Sequence, residues 1–143
     1  MSAVQFFKAP RFAVVGASAD QSKFGNRVLR WYIKQKLPVT PINPKSDVIE
    51  SISCVKQIAE LGDSCQYSLS LIVPPVITLQ VLNQAKSLGF KNLWLQPGCE
   101  NADVLNLVNE WRDTDSTMNV ILGGPCILVE GEYALHSVDR SHL

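Results

Sequence analysis

The stretch that decides the fold is Arg11-Phe12-Ala13-Val14-Val15-Gly16-Ala17-Ser18, which a polar loop continues to Lys23. Its first half is an apolar run that predicts a buried strand, and its second half is a turn of small residues before an amphipathic segment. A strand that ends in such a turn before a helix presents backbone N–H groups to an anion. Gly16 has no Cβ to obstruct that approach, and Ala17 and Ser18 obstruct it little. The stretch therefore predicts the phosphate-binding turn of an α/β nucleotide-binding domain.

The glycine pattern of this turn is shorter than the full dinucleotide fingerprint, which has three glycines. Here Gly16 is followed by Ser18, and the next glycine is Gly25. The same residues also suit an ordinary tight strand-to-helix turn, so the ligand has to be inferred from the other loops as well.

The composition is that of a globular domain with no strong charge. The chain has 143 residues, of which 46% are hydrophobic and 18% are charged, and its formal net charge is zero. This length is sufficient to bury most of the surface that the unfolded chain exposes, and we expect a single domain over residues 1–143. A neutral chain lacks the basic field that is typical of nucleic-acid-binding proteins, so we expect no nucleic-acid partner.

The cysteines indicate a reducing compartment. Cys54, Cys65, Cys99 and Cys126 form no C-x-x-C pair, and no histidine lies near them in sequence, so we expect no metal site. Scattered free thiols are typical of proteins that need no disulfides. No apolar run approaches the ~18 residues of a membrane span, and the first strand begins too early to leave room for a signal peptide. We therefore expect a cytoplasmic protein with no membrane partner.

The rest of the chain alternates helical and extended patterns. Val28, Leu29, Tyr32 and Ile33 form the predicted inward stripe of the first helix. The predicted helices cover residues 25–36, 55–61, 75–88 and 102–112, and the predicted strands cover residues 39–43, 48–53 (an edge strand), 68–73, 92–96 and 119–122. This alternation predicts an α/β fold, a Rossmann-like three-layer sandwich with a mostly parallel sheet of five to six strands.

Ligands of such sheets bind outside the carboxyl-terminal ends of the strands. The loops expected at that edge are residues 16–23, 43–46, 73–75, 96–100 and 123–126. At the second strand an NAD site would need an acidic residue, whereas this chain has Asn43-Pro44-Lys45. A lysine attracts a phosphorylated ribose, which favours CoA or NADP over NAD, although Lys45 also suits a solvated turn.

Four short motifs at successive strand ends carry a resemblance to a known family. They are Val14-Val15-Gly16-Ala17-Ser18 with Lys23-Phe24-Gly25, then Pro41-Ile42-Asn43-Pro44-Lys45, then Val73-Pro74-Pro75, and then Trp94-Leu95-Gln96-Pro97-Gly98. Together they resemble the CoA-binding domain family. That family includes small stand-alone proteins and the N-terminal domain of the succinyl-CoA synthetase alpha subunit and of related ADP-forming acyl-CoA synthetases.

The resemblance implies a Rossmann-like domain that holds CoA or an acyl-CoA by its nucleotide end. The residues that it assigns are Gly16, Ala17 and Ser18 with Lys23 at the diphosphate, Asn43, Pro44 and Lys45 at the adenosine and its 3′-phosphate, Val73, Pro74 and Pro75 as a wall, and Gln96 lining the crevice. With such a site, replacing Gly16 by Val is expected to abolish ligand binding while leaving the protein folded.

Two departures from the family keep the function open. The synthetases have a phosphorylatable histidine in a later domain, and neither His136 nor His142 has the glycine-rich surroundings to match it. The stand-alone proteins often have a charged segment before a late cysteine, where this chain has Gly123-Gly124-Pro125-Cys126.

We therefore interpret the chain as a stand-alone CoA or acyl-CoA binding protein with no catalysis of its own. The alternatives are an NADP-dependent enzyme, a ligase subunit that acts with a partner enzyme, and a thiol redox regulator that uses Cys126 or Cys99. The sequence alone does not identify such a partner.

Overall fold

A computed structural model describes residues 2–143. Helices and strands alternate along the chain, as predicted, and two short 3₁₀ helices precede the third strand of the main sheet. The elements are α1 (Ala3–Phe6), β1 (Arg11–Val15), α2 (Phe24–Lys34), β2 (Val39–Ile42), β3 (Val48–Ile49), β4 (Ile52–Ser53), the 3₁₀ helices Ile58–Leu61 and Ser64–Gln66, β5 (Tyr67–Leu71), α3 (Pro75–Leu88), β6 (Asn92–Leu95), α4 (Ala102–Thr114), β7 (Asn119–Ile121) and α5 (Ile127–His136).

Five of the strands form one parallel sheet in the order β2-β1-β5-β6-β7. The chain moves outward from β1 to β2 and then crosses back to β5, on the other side of β1. This reversal creates a crevice outside the carboxyl ends of β1 and β5, which is the usual ligand position in doubly wound sheets. The predicted α/β fold, with its parallel sheet covered by helices, is confirmed.

The side chains of β5 show how both faces of the sheet are covered. Leu69 and Leu71 pack into the core under α3 and α4, while the alternate side chains point into the opposite core under α1, α2 and α5. The Ser68 hydroxyl donates to the Phe6 carbonyl oxygen at 2.6 Å, and the Ser70 and Tyr32 hydroxyls are 2.6 Å apart. These hydrogen bonds satisfy two buried serines and attach α1 and α2 to the central strand.

An aromatic cluster fills the core on the α1 side. Phe6 makes an edge-to-face contact with Trp94 at 5.5 Å between ring centroids, and Phe12 packs against Tyr32 at 5.3 Å. Each of these rings is fully buried, which stabilises the fold by about 1.5–3 kcal/mol per side chain. The cluster anchors the N-terminal segment against β1 and β6.

The prediction of an edge strand at residues 48–53 is wrong. The segment folds into the antiparallel hairpin β3–β4, outside the main sheet. Glu50 and Ser51 turn the chain back with φ angles of 50° and 65°. The short helix predicted at residues 55–61 is reduced to the 3₁₀ helix Ile58–Leu61.

The predicted inward stripe of α2 also needs correction. Ile33 is 38% exposed, whereas Trp31 is buried. The reason is α5, a helix in a segment for which the sequence predicted no element. Gly131 of α5 packs so closely on Trp31 that an added Cβ would lie 2.7 Å from the Trp31 Cζ2 atom. Helix α2 is therefore covered by both the sheet and α5.

Candidate functional site

The turn after β1 is built around a glycine that no other residue could replace easily. Gly16 has a φ angle of +92°, and a Cβ at this position would collide with the Ile72 carbonyl oxygen and lie 2.9 Å from the Val73 side chain. The prediction that Gly16→Val leaves the protein folded is therefore wrong, because the added side chain would collide with the backbone of Ile72, the residue that follows β5. The turn and the end of β5 form one tightly packed unit.

Two asparagine side chains fix the carbonyl groups of this turn. Asn43 donates from Nδ2 to the Ala17 carbonyl oxygen at 2.8 Å, and Asn26 donates from Nδ2 to the Ser18 carbonyl oxygen at the same distance. The Asn43 Oδ1 atom also accepts from the N–H of Lys45 at 2.8 Å. Asn43 therefore couples the turn after β1 to the turn after β2.

The hairpin β3–β4 and helix α2 hold Asn26 in place. The Asn26 Nδ2 atom also donates to Glu50 Oε2 at 3.1 Å, and the Asn26 Oδ1 atom accepts from Arg30 Nε at 2.6 Å. Arg30 in turn donates to the Gln21 carbonyl oxygen at 3.0 Å. None of these contacts was predicted from the sequence. The one signal was Asn26 itself, a polar residue in the first turn of α2 that is fully buried.

The backbone donors of the turn remain available. In residues 2–143, the N–H groups of Ala17, Ser18 and Ala19 have no protein acceptor. Helix α2 begins directly after the loop, and its N-cap residue, Lys23, makes no side-chain capping bond. Successive free N–H groups after a left-handed glycine, beside a helix N-terminus, form an arrangement that can bind an anion.

The charges around the turn have both signs. The predicted phosphate ligands Lys23 and Lys45 are exposed, and so is Pro44. Asp20 lies inside the loop, where the hydroxyl and N–H of Ser22 donate to it and keep the pKa of its carboxyl below the usual range. Two lysines and one ionised aspartate therefore border the site.

A cavity of about 320 Å³ lies at the carboxyl ends of β5 and β6, and two of its lining residues, Ile72 and Val73, lie next to Gly16. The predicted wall residue Val73 is half-buried, Pro74 is exposed, and Pro75 is the first residue of α3. The residues that line the cavity are Ile72, Val73, Pro74, Pro97, Gly98 and Cys99. Its lining is largely apolar and adjoins the polar turn.

Gln96 does not lie on the surface of this crevice, so the prediction that it lines the crevice needs correction. Its side chain is fully buried, and its Oε1 atom accepts from the N–H of Ile127 at 2.9 Å. Its Nε2 atom has no partner among the described residues. Gln96 therefore attaches β6 to the start of α5.

The two cysteines near this edge have different surroundings. Cys99 is buried, its Sγ atom lies 3.1 Å from the Leu71 carbonyl oxygen, and burial raises the pKa of its thiol. Cys126 is half-buried and is the N-cap residue of α5. Burial therefore disfavours the reactive thiolate at Cys99.

A larger cavity, of about 810 Å³, lies at the opposite, amino-terminal edge of the sheet. Its lining includes residues at or just before the first residue of a strand, among them Tyr67, Lys91 and Asn119. No predicted site residue contributes to it. Because doubly wound sheets bind ligands at their carboxyl edge, we regard the smaller cavity beside Gly16 as the candidate site.

Two further features are absent from residues 2–143. No group of three or more His, Cys, Asp or Glu side chains in this range could hold a metal ion. None of the helices described is long and apolar enough to cross a membrane.

Known proteins are similar to this chain in sequence and in architecture. A stretch of 114 residues, 79% of this chain, is 25% identical to an ADP-forming acetate–CoA ligase of Methanocaldococcus jannaschii and spans 16% of that enzyme's length. A conserved hypothetical protein of Pyrococcus furiosus is 33% identical, with a TM-score of 0.72 over 84% of this chain and 97% of its own. A hypothetical protein of Pyrococcus horikoshii, 23% identical, has the same fold with a TM-score of 0.76 over 92% and 89% of the two chains.

The sequence model of one family, described as CoA binding domain, matches residues 10–132. The match begins just before β1 and ends within α5, so it includes the turn at Gly16 and every strand of the sheet. The chain belongs to the CoA-binding domain family.

Proposed function

We propose that this protein binds CoA, free or acylated, at the carboxyl edge of its sheet and catalyses no reaction of its own. The observation that carries the proposal is the fixed direction of the Ala17 and Ser18 carbonyl groups. Two side-chain amides hold these carbonyl oxygens, which would otherwise repel an anion. The N–H groups of the same turn are left without protein acceptors.

The diphosphate of CoA binds this turn and the N-terminus of α2. The helix contributes its unpaired N–H groups and its dipole, which together favour an anion by about 0.3–1 kcal/mol at an exposed site. Lys23 adds a positive charge at the same end of the helix. The hydrogen bonds of Asn43 and Asn26 hold the turn in one shape before the ligand arrives, which reduces the entropy lost on binding.

The 3′-phosphate of CoA binds near Lys45. The Asn43 side chain fixes the backbone at Lys45, so the lysine side chain extends from an ordered turn beside the diphosphate site. A charge-assisted contact of this kind contributes about 1.5–3 kcal/mol. NAD has no phosphate on the adenosine ribose, and the turn after β2 offers no carboxylate to the ribose hydroxyls, so NAD binds more weakly.

The pantetheine arm follows the cavity between the ends of β5 and β6. The proline and valine side chains there would pack against its methyl and methylene groups. We assign no chemical step to this end of the ligand, because the Cys99 thiol is buried and its pKa is raised. His136 ends α5, whose N-terminus lies at the binding edge, so about 15 Å of helix separates it from that edge.

A second candidate function is the CoA-binding part of a ligase that acts together with a partner chain. The similarity to an ADP-forming acetate–CoA ligase favours this candidate, since this chain corresponds to only 16% of that enzyme's length. ATP-dependent formation of acetyl-CoA by this chain alone would contradict the proposal of a protein without catalysis, and the same activity restored by a partner chain would favour the second candidate.

Calorimetric titration with CoA, dephospho-CoA, NADP and NAD tests the binding proposal. We expect CoA to bind most tightly, dephospho-CoA about tenfold or more weakly, and NAD weakest. Binding of NAD tighter than that of CoA, or no binding of CoA, would contradict the proposal. Equal affinities for CoA and dephospho-CoA would remove Lys45 from the site.

A further inference from the structure

The Gln96 side chain contains a hydrogen-bond donor that has no acceptor in the described part of the chain. The side chain is fully buried, and its Oε1 atom accepts from the Ile127 N–H at 2.9 Å. Its Nε2 atom has no partner among residues 2–143. An unpaired donor in a protein interior is uncommon and costs free energy, so an acceptor from outside the chain would stabilise this arrangement.

Two backbone donors lie beside this amide, at the start of α5. The N–H groups of Cys126 and Leu128 have no acceptor within residues 2–143. Ile127 is the first residue of α5, so its contact with Gln96 brings the side-chain amide to the same helix end. We call the Gln96 Nε2 atom and these two N–H groups the α5 donor group. The dipole of this ten-residue helix also favours an electronegative atom here.

Trp94 sets the direction of one of these donors. Its Nε1 atom donates to the Pro125 carbonyl oxygen at 3.0 Å, so that this carbonyl group points towards the buried indole ring. In a trans peptide the carbonyl group and the next N–H point in opposite directions. The N–H of Cys126 therefore points away from the aromatic core and remains available to a ligand.

The charges near the α5 donor group favour a neutral acceptor. Glu100 accepts at Oε1 from the Gly123 N–H at 2.9 Å, in the loop that leads to α5, and Glu130 lies in the first turn of the helix. These carboxylates repel a phosphate or a second carboxylate. A carbonyl oxygen accepts hydrogen bonds without carrying a full charge, so it is the class of acceptor that this helix end suits.

The distance from the turn after β1 to α5 matches the length of the pantetheine arm of CoA. The turn follows β1 and α5 follows β7, and these strands are three positions apart in the sheet. Three strand spacings amount to about 14 Å. The arm has about as many backbone bonds as four extended residues, which span roughly 14 Å. A CoA whose diphosphate binds at the turn therefore places its sulfur atom near the start of α5.

We propose that the α5 donor group binds the thioester carbonyl oxygen of an acyl-CoA, so that the protein prefers the acylated form of the cofactor. This inference rests on the proposed function, because the arm reaches α5 from a diphosphate at the turn after β1. The oxygen reaches the buried Nε2 atom when residues 123–125 move outward. Space for this movement exists, since an added Cβ at Gly123 or Gly124 would meet no atom within 4 Å.

Calorimetric titration with acetyl-CoA, CoA and S-ethyl-CoA tests the preference. S-ethyl-CoA is a thioether of nearly the same size that lacks the thioester carbonyl oxygen. We expect acetyl-CoA to bind about fivefold or more tightly than either of the other two. Equal affinities for acetyl-CoA and S-ethyl-CoA, with CoA still bound, would overturn this inference and leave the proposed function intact. No binding of any of the three would contradict both.

Gln96→Met tests the contribution of the side chain, because methionine has a similar size and no donor. The variant should bind acetyl-CoA and S-ethyl-CoA with nearly equal affinity, and circular dichroism establishes that it folds. Ser70→Ala is the control, since it removes a buried polar group that is bonded to Tyr32 inside the core, and it should keep the preference for acetyl-CoA. A preference that Gln96→Met leaves unchanged would contradict the assignment of Gln96.

A ¹H–¹⁵N NMR titration of the wild-type protein keeps the test independent of the variant's folding. Acetyl-CoA should shift the side-chain amide signal of Gln96 and the backbone amide signals of Cys126 and Leu128, and S-ethyl-CoA should shift them much less. The same shifts with both ligands, or none with acetyl-CoA at saturation, would overturn the proposal.

Discussion

Gly25 packs directly against the carbonyl oxygen of Gly16, with no room for a side chain between the start of α2 and the end of β1. A Cβ on Gly25 would collide with that oxygen and lie 3.4 Å from the Ala17 Cα atom. The dinucleotide fingerprint uses its third glycine for close packing of helix and strand. In this chain Gly25 has that role at a longer spacing, which brings the helix N-terminus close to the phosphate-binding turn.

This contact predicts an unusual outcome for Gly25→Ala. Helix propensity alone would make the substitution stabilising by about 1 kcal/mol. We expect it instead to lower the free energy of unfolding by about 1–3 kcal/mol, because the added methyl group forces the helix away from the turn. Urea denaturation measures the change, and Ser87→Ala, at an exposed position of α3, is the control for helix propensity. A stabilised Gly25→Ala variant would show that the helix can move at little cost.

The contribution of Lys45 to CoA affinity should depend on the 3′-phosphate of the ligand. Lys45→Ala is expected to weaken CoA binding about tenfold or more and to leave the affinity for dephospho-CoA nearly unchanged. Calorimetry on the two ligands and the two proteins gives the coupling between side chain and phosphate. Lys8→Ala, an exposed lysine near the opposite edge of the sheet, should change neither affinity. An equal loss for both ligands would assign Lys45 to another part of CoA.

The Asp115 carboxylate should make the protein sensitive to acid. It lies 2.7 Å from the Lys86 Nζ atom and accepts from the Thr117 N–H, and these hydrogen bonds hold the pKa of its carboxyl well below the usual range. Because the folded-state pKa is depressed, its contribution to stability is present above the unfolded pKa of about 4 and is lost as the pH falls.

Denaturation between about pH 4 and pH 2 tests this contribution. The free energy of unfolding of Asp115→Asn should fall less steeply with decreasing pH than that of the wild type. The control Asp113→Asn, at the exposed penultimate position of α4, should follow the wild type. Identical slopes for Asp115→Asn and wild type would show that the ion pair with Lys86 does not persist in solution.

The four free cysteines should react in an order set by burial. Cys65 is exposed, while Cys99 is buried and has a raised thiol pKa. With an aromatic disulfide reagent such as dithiobis(nitrobenzoate), we expect Cys65 to react first and Cys99 only when the protein unfolds. Cys65→Ser should remove the fastest phase. Rapid reaction of Cys99 in the folded protein would instead favour a redox function for this residue.

The five sheet strands were predictable because each belongs to a short, mostly apolar segment that ends at glycine, proline or a polar turn. The first strand is a good example, since Phe12 to Val15 are buried on both faces and Gly16 ends the run with a left-handed φ angle. Helix α4 likewise begins at the predicted residue, Ala102, and the side chain of Asn101, a residue type favoured at N-caps, accepts at Oδ1 from the Val104 N–H at 3.0 Å.

Helix α5 and the hairpin β3–β4 have no comparable pattern in the sequence. Helix α5 follows Cys126, which makes no side-chain capping bond, and a glycine, Gly131, interrupts its pattern. The hairpin β3–β4 turns at Glu50 and Ser51, which adopt left-handed φ angles that their residue types rarely favour. In both cases tertiary contacts decide the structure: Gly131 is needed where α5 meets Trp31, and Glu50 accepts from Asn26.

The candidate site was predictable in its backbone and not in its side-chain network. Gly16 and Lys45 follow from strand ends and turn chemistry. The hydrogen bonds of Asn26 and Asn43 to the turn depend on how the hairpin, α2 and β2 pack together, which a sequence pattern does not contain. The burial of Gln96 has the same origin, since it results from the position of α5.

The central claim, that CoA binds at the turn after β1, is tested most directly by a ¹H–¹⁵N NMR titration. The account predicts that CoA shifts the amide signals of Ala17, Ser18 and Ala19 and of Gly25 at the start of α2, because these groups surround the diphosphate. The signals of Asn92 and Asn119, which line the larger cavity at the amino-terminal edge, should stay unchanged. Shifts confined to Asn92, Asn119 and their neighbours, with none at Ala17 to Ala19, would contradict the account.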